Sequence, residues 1–369
     1  MKLEDILLAL LVLSFTIQIL YFGIVFTRFI FYKPKPETTN NLPVSVVIVA
    51  HNEYHHLIKT LDPILKQDYP KFEVVVVNDN SDDESHYLLK ELEKAHAHLK
   101  VVQINQNLNF FKGKKFPLSI GIKSASYDTL LHTNADCEIP SNQWIKSMQG
   151  AFQDKTEIVL GYAPYKPESG FLNKLIRFDT FTTAMNYFSL ALLNKAYKGV
   201  GRNLAYSKRL FYQKSGFINH YKINLGDDDL FVNQASNKTN TEICIAPDSY
   251  TFSVAEKRFG TWLKQKKQQA KTSRFYKNGQ RLFLVLFPLS LLFFYVLSLA
   301  LLILKAWLIV VLVLFVLRLT GFLLIQKSGL RKLNEQKLLL LSPILELVLY
   351  TVLGIIMGLN IFNQKDKWN

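Results

Sequence analysis

Three consecutive aspartates, Asp227-Asp228-Asp229, lie between Gly226 and Leu230. Crowded carboxylates resist simultaneous ionisation, so one member of such a run can be lifted toward the range of a working base. A second acidic position, Asp136 in Asn134-Ala135-Asp136, follows a short apolar run at 129–133. A carboxylate at the end of a strand can hold a hard divalent cation, Mg2+ or Mn2+, against phosphate oxygens. Asp79 occurs inside Asn78-Asp79-Asn80-Ser81-Asp82-Asp83, a stretch rich in turn and helix-capping residues. Lys112, Lys114 and Lys115 form a cationic loop that suits either an anion or plain solvent. Cys137 and Cys244 stand in no metal-ligand or C-x-x-C spacing, which argues against a zinc site and a disulfide framework.

The elements that must position these residues are legible around them. Residues 44–50 and 72–77 are β-branched runs without strong alternation, the pattern of strands covered on both faces of a parallel sheet. Further strands are expected at 100–104 and 129–133, with helical stretches at 53–66, 84–98 and 117–124 between them. Strands separated by helices of this length predict right-handed βαβ crossovers and an open α/β sheet. Ligands of such sheets bind beyond the carboxyl ends of the strands. Asn52, Glu53, Asp79 and the Asn134–Asp136 triplet are then neighbours in space.

The chain has 369 residues and is 49% hydrophobic, with the apolar residues crowded at both ends. Residues 6–32 exceed the roughly 20 needed to cross a bilayer, and no small-x-small cleavage site precedes Lys33-Pro34-Lys35-Pro36, so an uncleaved anchor is expected. Residues 282–304, 306–325 and 338–362 are three more candidate spans. The net charge of +15 comes with no zinc-finger, RNP or helix-turn-helix pattern, which argues against nucleic acid as a partner. Nine Lys or Arg and no acid lie between Lys257 and Arg281, directly before the second span, as anionic lipid head groups favour. The cation clusters beside the spans predict, by the positive-inside rule, a cytoplasmic middle domain. The expected organisation is an anchor at 1–32, a domain at 33–255, a basic interfacial segment at 256–281 and three spans within 282–369.

Several motifs in fixed order carry a family resemblance: VIVAHNE ending at Glu53, VVVVNDNSDD ending at Asp83, HTNADCEIPSNQW from His132 to Trp144, GVGRNLAYSK from Gly199 to Lys208, and GDDDL from Gly226 to Leu230. Together they resemble the membrane-bound family-two glycosyltransferases. That resemblance implies a GT-A fold, a Rossmann-like mixed sheet flanked by helices, and inverting transfer from a nucleotide sugar, a UDP sugar before a GDP sugar. The acceptor it implies is lipid-linked or a saccharide, at a cytoplasmic membrane of bacterial type and in contact with its lipids. It implies Asp228 as the base, with Asp227 the alternative, and Asp136 as the ligand of Mg2+ or Mn2+. It also implies a nucleotide-sugar wall of Ala50, Asn52, Glu53, Asp79, Lys114, Asn134 and Ala135. The family usually shows Asp-x-Asp where this chain has Asn134-Ala135-Asp136, a departure that raises the alternative of an impaired nucleotide-sugar-binding subunit. Processive members carry Gln-x-x-Arg-Trp after the acidic residues. The stretch at 265–269 keeps Gln265 but has Gln268 in place of Arg and Gln269 in place of Trp, so a processive polysaccharide synthase is an alternative rather than the leading expectation. Trp144, Gln265 and Gln268 are assigned to the acceptor side.

Overall fold

The computed structural model describes residues 2–36, 38, 40–105, 113–153 and 155–362. Lys112 lies outside these. By contacts the chain divides into two compact units, residues 33–167 with 190–255 and residues 1–32 with 168–189 and 256–369.

The first unit is built on a seven-stranded sheet with strand order β3-β2-β1-β4-β6-β5-β7. Its strands are β1 (Val44–Ala50), β2 (Phe72–Asp79), β3 (Leu99–Ile104), β4 (Thr129–Asn134), β5 (Ile158–Leu160), β6 (Leu204–Ser207) and β7 (Thr241–Ile243). Pairing is parallel among β1 to β4 and between β5 and β7, and β6 runs against both of its neighbours. The expected open α/β sheet is present, and β6 makes it a mixed one.

Helices Tyr54–Leu65, Ser85–Ala95 and Lys115–Ser124 link the first four strands. Tyr54–Leu65 turns Leu57, Leu61, Ile64 and Leu65 into the core, where they meet Val46, Ile48, Val74 and Val76. Each such buried aliphatic side chain contributes about 1.5–3 kcal/mol of transfer free energy, which explains why the strands are apolar on both faces. Register places Ala50 beside Asn78 and Val49 beside Asn134. The carboxyl ends of β2, β1 and β4 therefore lie side by side.

The second unit contains four helices long and apolar enough to cross a membrane, Leu3–Ile30, Asn278–Ile303, Leu308–Lys332 and Gln336–Ile356. They correspond to the four spans expected from composition. Large apolar side chains such as Val296, Leu299, Ile309 and Leu312 face outward, as a lipid surround permits and water does not. Each span supplies one polar group to a buried cluster. The Arg318 guanidinium donates to Gln18 Oε1 at 2.9 Å, to Tyr295 Oη at 3.3 Å and to Glu346 Oε1 at 2.6 Å.

The division departs from the expected contiguous domain over 33–255. Most of helix Phe171–Leu192 belongs to the membrane-helix unit, where Arg177 pairs with Glu335, Asp179 pairs with Lys266, and Phe188 stacks on Phe29. An aromatic, apolar helix with two buried charges settles where both apolar surface and counter-charges are supplied. The basic segment forms helix Phe259–Thr272, but Trp262 on it is buried rather than turned to an interface.

Candidate active site

The loops that leave β1 and β2 are braced against each other. Asn52 and Asn80 adopt left-handed backbone conformations, with φ of 57° and 49°, which asparagine tolerates better than most residues. The Asn52 N–H donates to Ser81 Oγ at 3.0 Å, and its Oδ1 accepts from the Asp82 N–H at 2.8 Å. The Tyr54 N–H donates to Asp83 Oδ2 at 2.9 Å. Asn52 thus shapes the wall through its hydrogen bonds, and Glu53 is engaged with His56 Nδ1 at 2.5 Å. Asp79, the last residue of β2, is half-buried, and that burial raises its carboxyl above the ordinary range while nearby His51 opposes the shift. Ala50 is fully buried at the end of β1.

One strand away, β4 delivers Asn134-Ala135-Asp136. The Ala135 carbonyl accepts from Thr60 Oγ1 at 2.7 Å, and the Cys137 N–H donates to the Asn134 carbonyl at 3.1 Å, so the turn is pinned from a helix and closed on itself. Lys114 Nζ donates to Asn134 Oδ1 at 2.5 Å. Lys114 and the strand-end motif are therefore in direct contact. Asp136 remains partly exposed. Among the described residues no group of three or more His, Cys, Asp or Glu side chains is assembled to hold a metal ion.

The acidic triplet begins helix Asp229–Ala235. Asp228 caps it, accepting the Asp229 N–H on Oδ1 at 2.6 Å and the Gly201 N–H on Oδ2 at 2.9 Å. Burial, with Asp227 and Asp229 beside it, pushes the Asp228 carboxyl up to about 7, although Lys198 and the Gly201 N–H pull the other way. Gly226 precedes the triplet at φ +100°, and a Cβ there would meet Leu230 Cδ1 at 2.4 Å, so only glycine fits the turn.

Lys115 is buried and donates to the carbonyls of His220, Ile223 and Leu225 at 2.6, 2.7 and 2.8 Å. Burial lowers its ammonium to about 8, with Asp227, Asp229 and Asp228 opposing that shift. It is a structural staple of the loop leading to the triplet, whereas Lys114 faces the site. Lys114, His132, Thr133, Tyr206, Asp227 and Asp228 line one small cavity of about 10 Å3. The end of β4, Lys114 and the acidic triplet thus converge.

Trp144 requires a correction. It is fully buried in the core and donates from Nε1 to Asn203 Oδ1 at 3.1 Å, so it packs the domain and does not present itself to an acceptor. Gln265 and Gln268 lie on helix Phe259–Thr272 in the membrane-helix unit. Arg202 was not singled out from sequence. Its carbonyl accepts from Thr133 Oγ1 at 3.0 Å, its guanidinium lies 4.2 Å from the Tyr165 ring, and it acts electrostatically on Cys137 next to Asp136. The Arg inside GVGRNLAYSK, next to the glycine whose N–H meets Asp228, was the available signal.

Comparison with known proteins bears on the family and the fold. Residues 45–218 match the family described as Glycosyl transferase family 2. A poly-beta-1,6-N-acetyl-D-glucosamine synthase of Staphylococcus epidermidis is 32% identical over 96 residues, 26% of this chain and 22% of that protein. A probable glycosyltransferase, YdaM, of Bacillus subtilis strain 168 is 36% identical over 103 residues, 27% of this chain and 24% of that protein. The matched stretch thus spans less than a quarter of either relative. A mannosyltransferase structure from Pyrobaculum calidifontis, in complex with GDP-Man and Mn2+, superposes with a TM-score of 0.57 at 19% identity, covering 93% of this chain and 98% of that one. At that identity the likeness speaks for the fold. Residues 45–218 thus match a family-two glycosyltransferase domain, the surrounding unit has a GT-A-like fold, and the chain also carries four helices long and apolar enough to span a membrane.

Proposed function

We propose that this protein transfers a sugar from a nucleoside diphosphate sugar, a UDP sugar before a GDP sugar, to a hydroxyl of a lipid-linked or saccharide acceptor at the membrane, with inversion at the anomeric carbon. The observation that carries this reading is Asp228: a carboxylate pushed up to about 7, sharing a cavity with Lys114, which is itself bonded to the Asn134-Ala135-Asp136 motif. A base with a pKa near working pH is effective both at accepting a proton and at being free to do so.

In this mechanism Asp79 and the wall of Ala50, Asn52 and Glu53 receive the nucleoside at the ends of β1 and β2. Lys114, with Arg202 whose charge acts on Cys137 next to Asp136, offsets the negative charge that builds on the departing diphosphate. Asp228, with Asp227 the alternative, removes the proton from the acceptor hydroxyl. That oxygen attacks the anomeric carbon opposite the diphosphate, the carbon–oxygen bond to the diphosphate breaks, and its electron pair leaves on the phosphate oxygen. A single displacement with no enzyme nucleophile inverts the configuration.

Asp136 would hold Mg2+ or Mn2+, hard cations that one or two carboxylates suffice to bind alongside a phosphate-bearing substrate. The Mn2+ in the Pyrobaculum structure supports that assignment. When bound, the ion supplies Lewis-acid stabilisation of the leaving diphosphate. Catalysis at the cytoplasmic face is the topology favoured by the cation clusters beside the spans.

The test is full-length protein in detergent or nanodiscs with a panel of nucleotide sugars, followed for nucleotide release and product configuration. Release that depends on Asp228 is expected. Activity unchanged in Asp228→Asn and Asp227→Asn, or a product of retained configuration, would overturn the reading. The Staphylococcus relative favours a second reading, repeated addition to make a polysaccharide. Product length separates it from single transfer.

A further inference from the structure

Beneath the acidic triplet lie two buried side chains to which the sugar-transfer mechanism assigns no role. His132 sits on β4 and Tyr206 on β6, their rings stacked 4.4 Å apart with an interplanar angle of 26°. Both are buried, and among the described residues neither ring nitrogen of His132 nor the Tyr206 hydroxyl has a hydrogen-bond partner. Three orphaned polar atoms in one place are costly, about 1–3 kcal/mol each, unless something meets them. Both side chains line the cavity that also carries Lys114, Asp227 and Asp228, and its volume of about 10 Å3 is close to the minimum for one water. The site is just large enough for a single molecule and supplied with several polar partners, as a buried water requires.

We propose that His132 and Tyr206 bind one internal water that hydrogen-bonds the Asp227–Asp228 carboxylates, making them positioning residues for the catalytic base. The proposal rests on the sugar-transfer reading for the base role alone. Burial and Lys114 press the imidazole down to about 3, so it stays neutral and offers one donor and one acceptor. Burial, with Asp227 and Asp228, keeps the Tyr206 phenol protonated. Neither group can therefore serve as the base. The water donates to the ionised carboxylate and favours its charged form, against the burial and the neighbouring Asp227 and Asp229 that oppose ionisation and alongside Lys198 and Lys115 that support it.

The experiment has two arms on full-length protein. A high-resolution structure is expected to show a water bonded to His132 and Tyr206, and a dry cavity overturns the proposal whatever the activity. In steady-state kinetics, His132→Leu and Tyr206→Phe are each expected to lower kcat about 5- to 50-fold with donor KM within about twofold, and to move the acid limb of kcat up by about half a pH unit. His132→Gln, which keeps a donor and an acceptor, should recover part of the loss. Leucine and phenylalanine variants with wild-type kcat and acid limb would overturn it. A wild-type protein that holds the water yet transfers no sugar would remove the sugar-transfer reading and leave the water site standing.

Discussion

Two buried polar clusters, one in each unit, are partnered differently. In the membrane-helix unit, Arg318 is 1% exposed and each hydrogen-bonding arm of its guanidinium finds a separate acceptor, on Gln18, Tyr295 and Glu346. Around the strand ends of the other unit, Asp228 carries a carboxyl pushed up to about 7, and His132 and Tyr206 keep polar atoms without partners among the described residues. A buried charge met by an opposite charge holds helices together, whereas a carboxyl raised by burial and like charges is poised to exchange a proton.

The sharpest way to break that comparison is to remove the carboxylates of the candidate site. Asp228→Asn should lower kcat about 10²- to 10⁴-fold while leaving the melting temperature within a few degrees, checked by nucleotide release and calorimetry. Asp136→Asn should abolish turnover that depends on added Mg2+ or Mn2+, whereas Asn134→Ala only reduces it. Full metal-dependent activity in Asp136→Asn would remove the metal role.

Removing one partner from the Arg318 cluster should act on folding. Arg318→Leu leaves Glu346 buried and unpaired and should cost about 3–5 kcal/mol, seen as a lowered melting temperature in detergent. The double variant Arg318→Leu with Glu346→Leu should regain most of it. A double variant as unstable as the single one would mean that the cluster does more than neutralise its own charges.

Smaller effects sharpen the contrast within the site. Lys114→Met should lower kcat/KM for the donor about tenfold, because it removes a cation from the diphosphate end without disturbing the core. The pH profile has a definite sign: an aspartate raised to about 7 is protonated below that value, so kcat should fall as pH drops through about 7 and level off above it. The same shift makes Asp228 favour folding most below the ordinary aspartate range, and this contribution is lost as pH rises through about 7.

Much of the architecture was legible from short stretches of chain. Residues 44–50 were read as a strand with the ends the structure shows, and the β2 to β4 strands and the helices between them fell within a few residues of their observed positions. The four spans were equally plain. Their signal is local, since a β-branched run or twenty successive apolar residues has few places to go other than a covered sheet or a bilayer. Motif spacing likewise placed Asp79, Asn134 and Asp136 at the carboxyl end of a sheet, because chain direction in βαβ units dictates which loops share an edge.

What the tertiary structure alone decided are matters of partnership between residues far apart in sequence. Neighbouring Lys114 and Lys115 are equivalent by composition, yet one meets Asn134 while the other is buried under the carbonyls of His220, Ile223 and Leu225. Trp144 and Trp262, both plausible at a surface, are core residues. Helix Phe171–Leu192 joins the membrane-helix unit although it is flanked in sequence by strands of the other. The elevated Asp228 carboxyl needs the burial that surrounding segments supply. Local pattern sets which element forms and which end a residue occupies. Desolvation and pairing depend on what the rest of the fold brings alongside, and no window of sequence contains that.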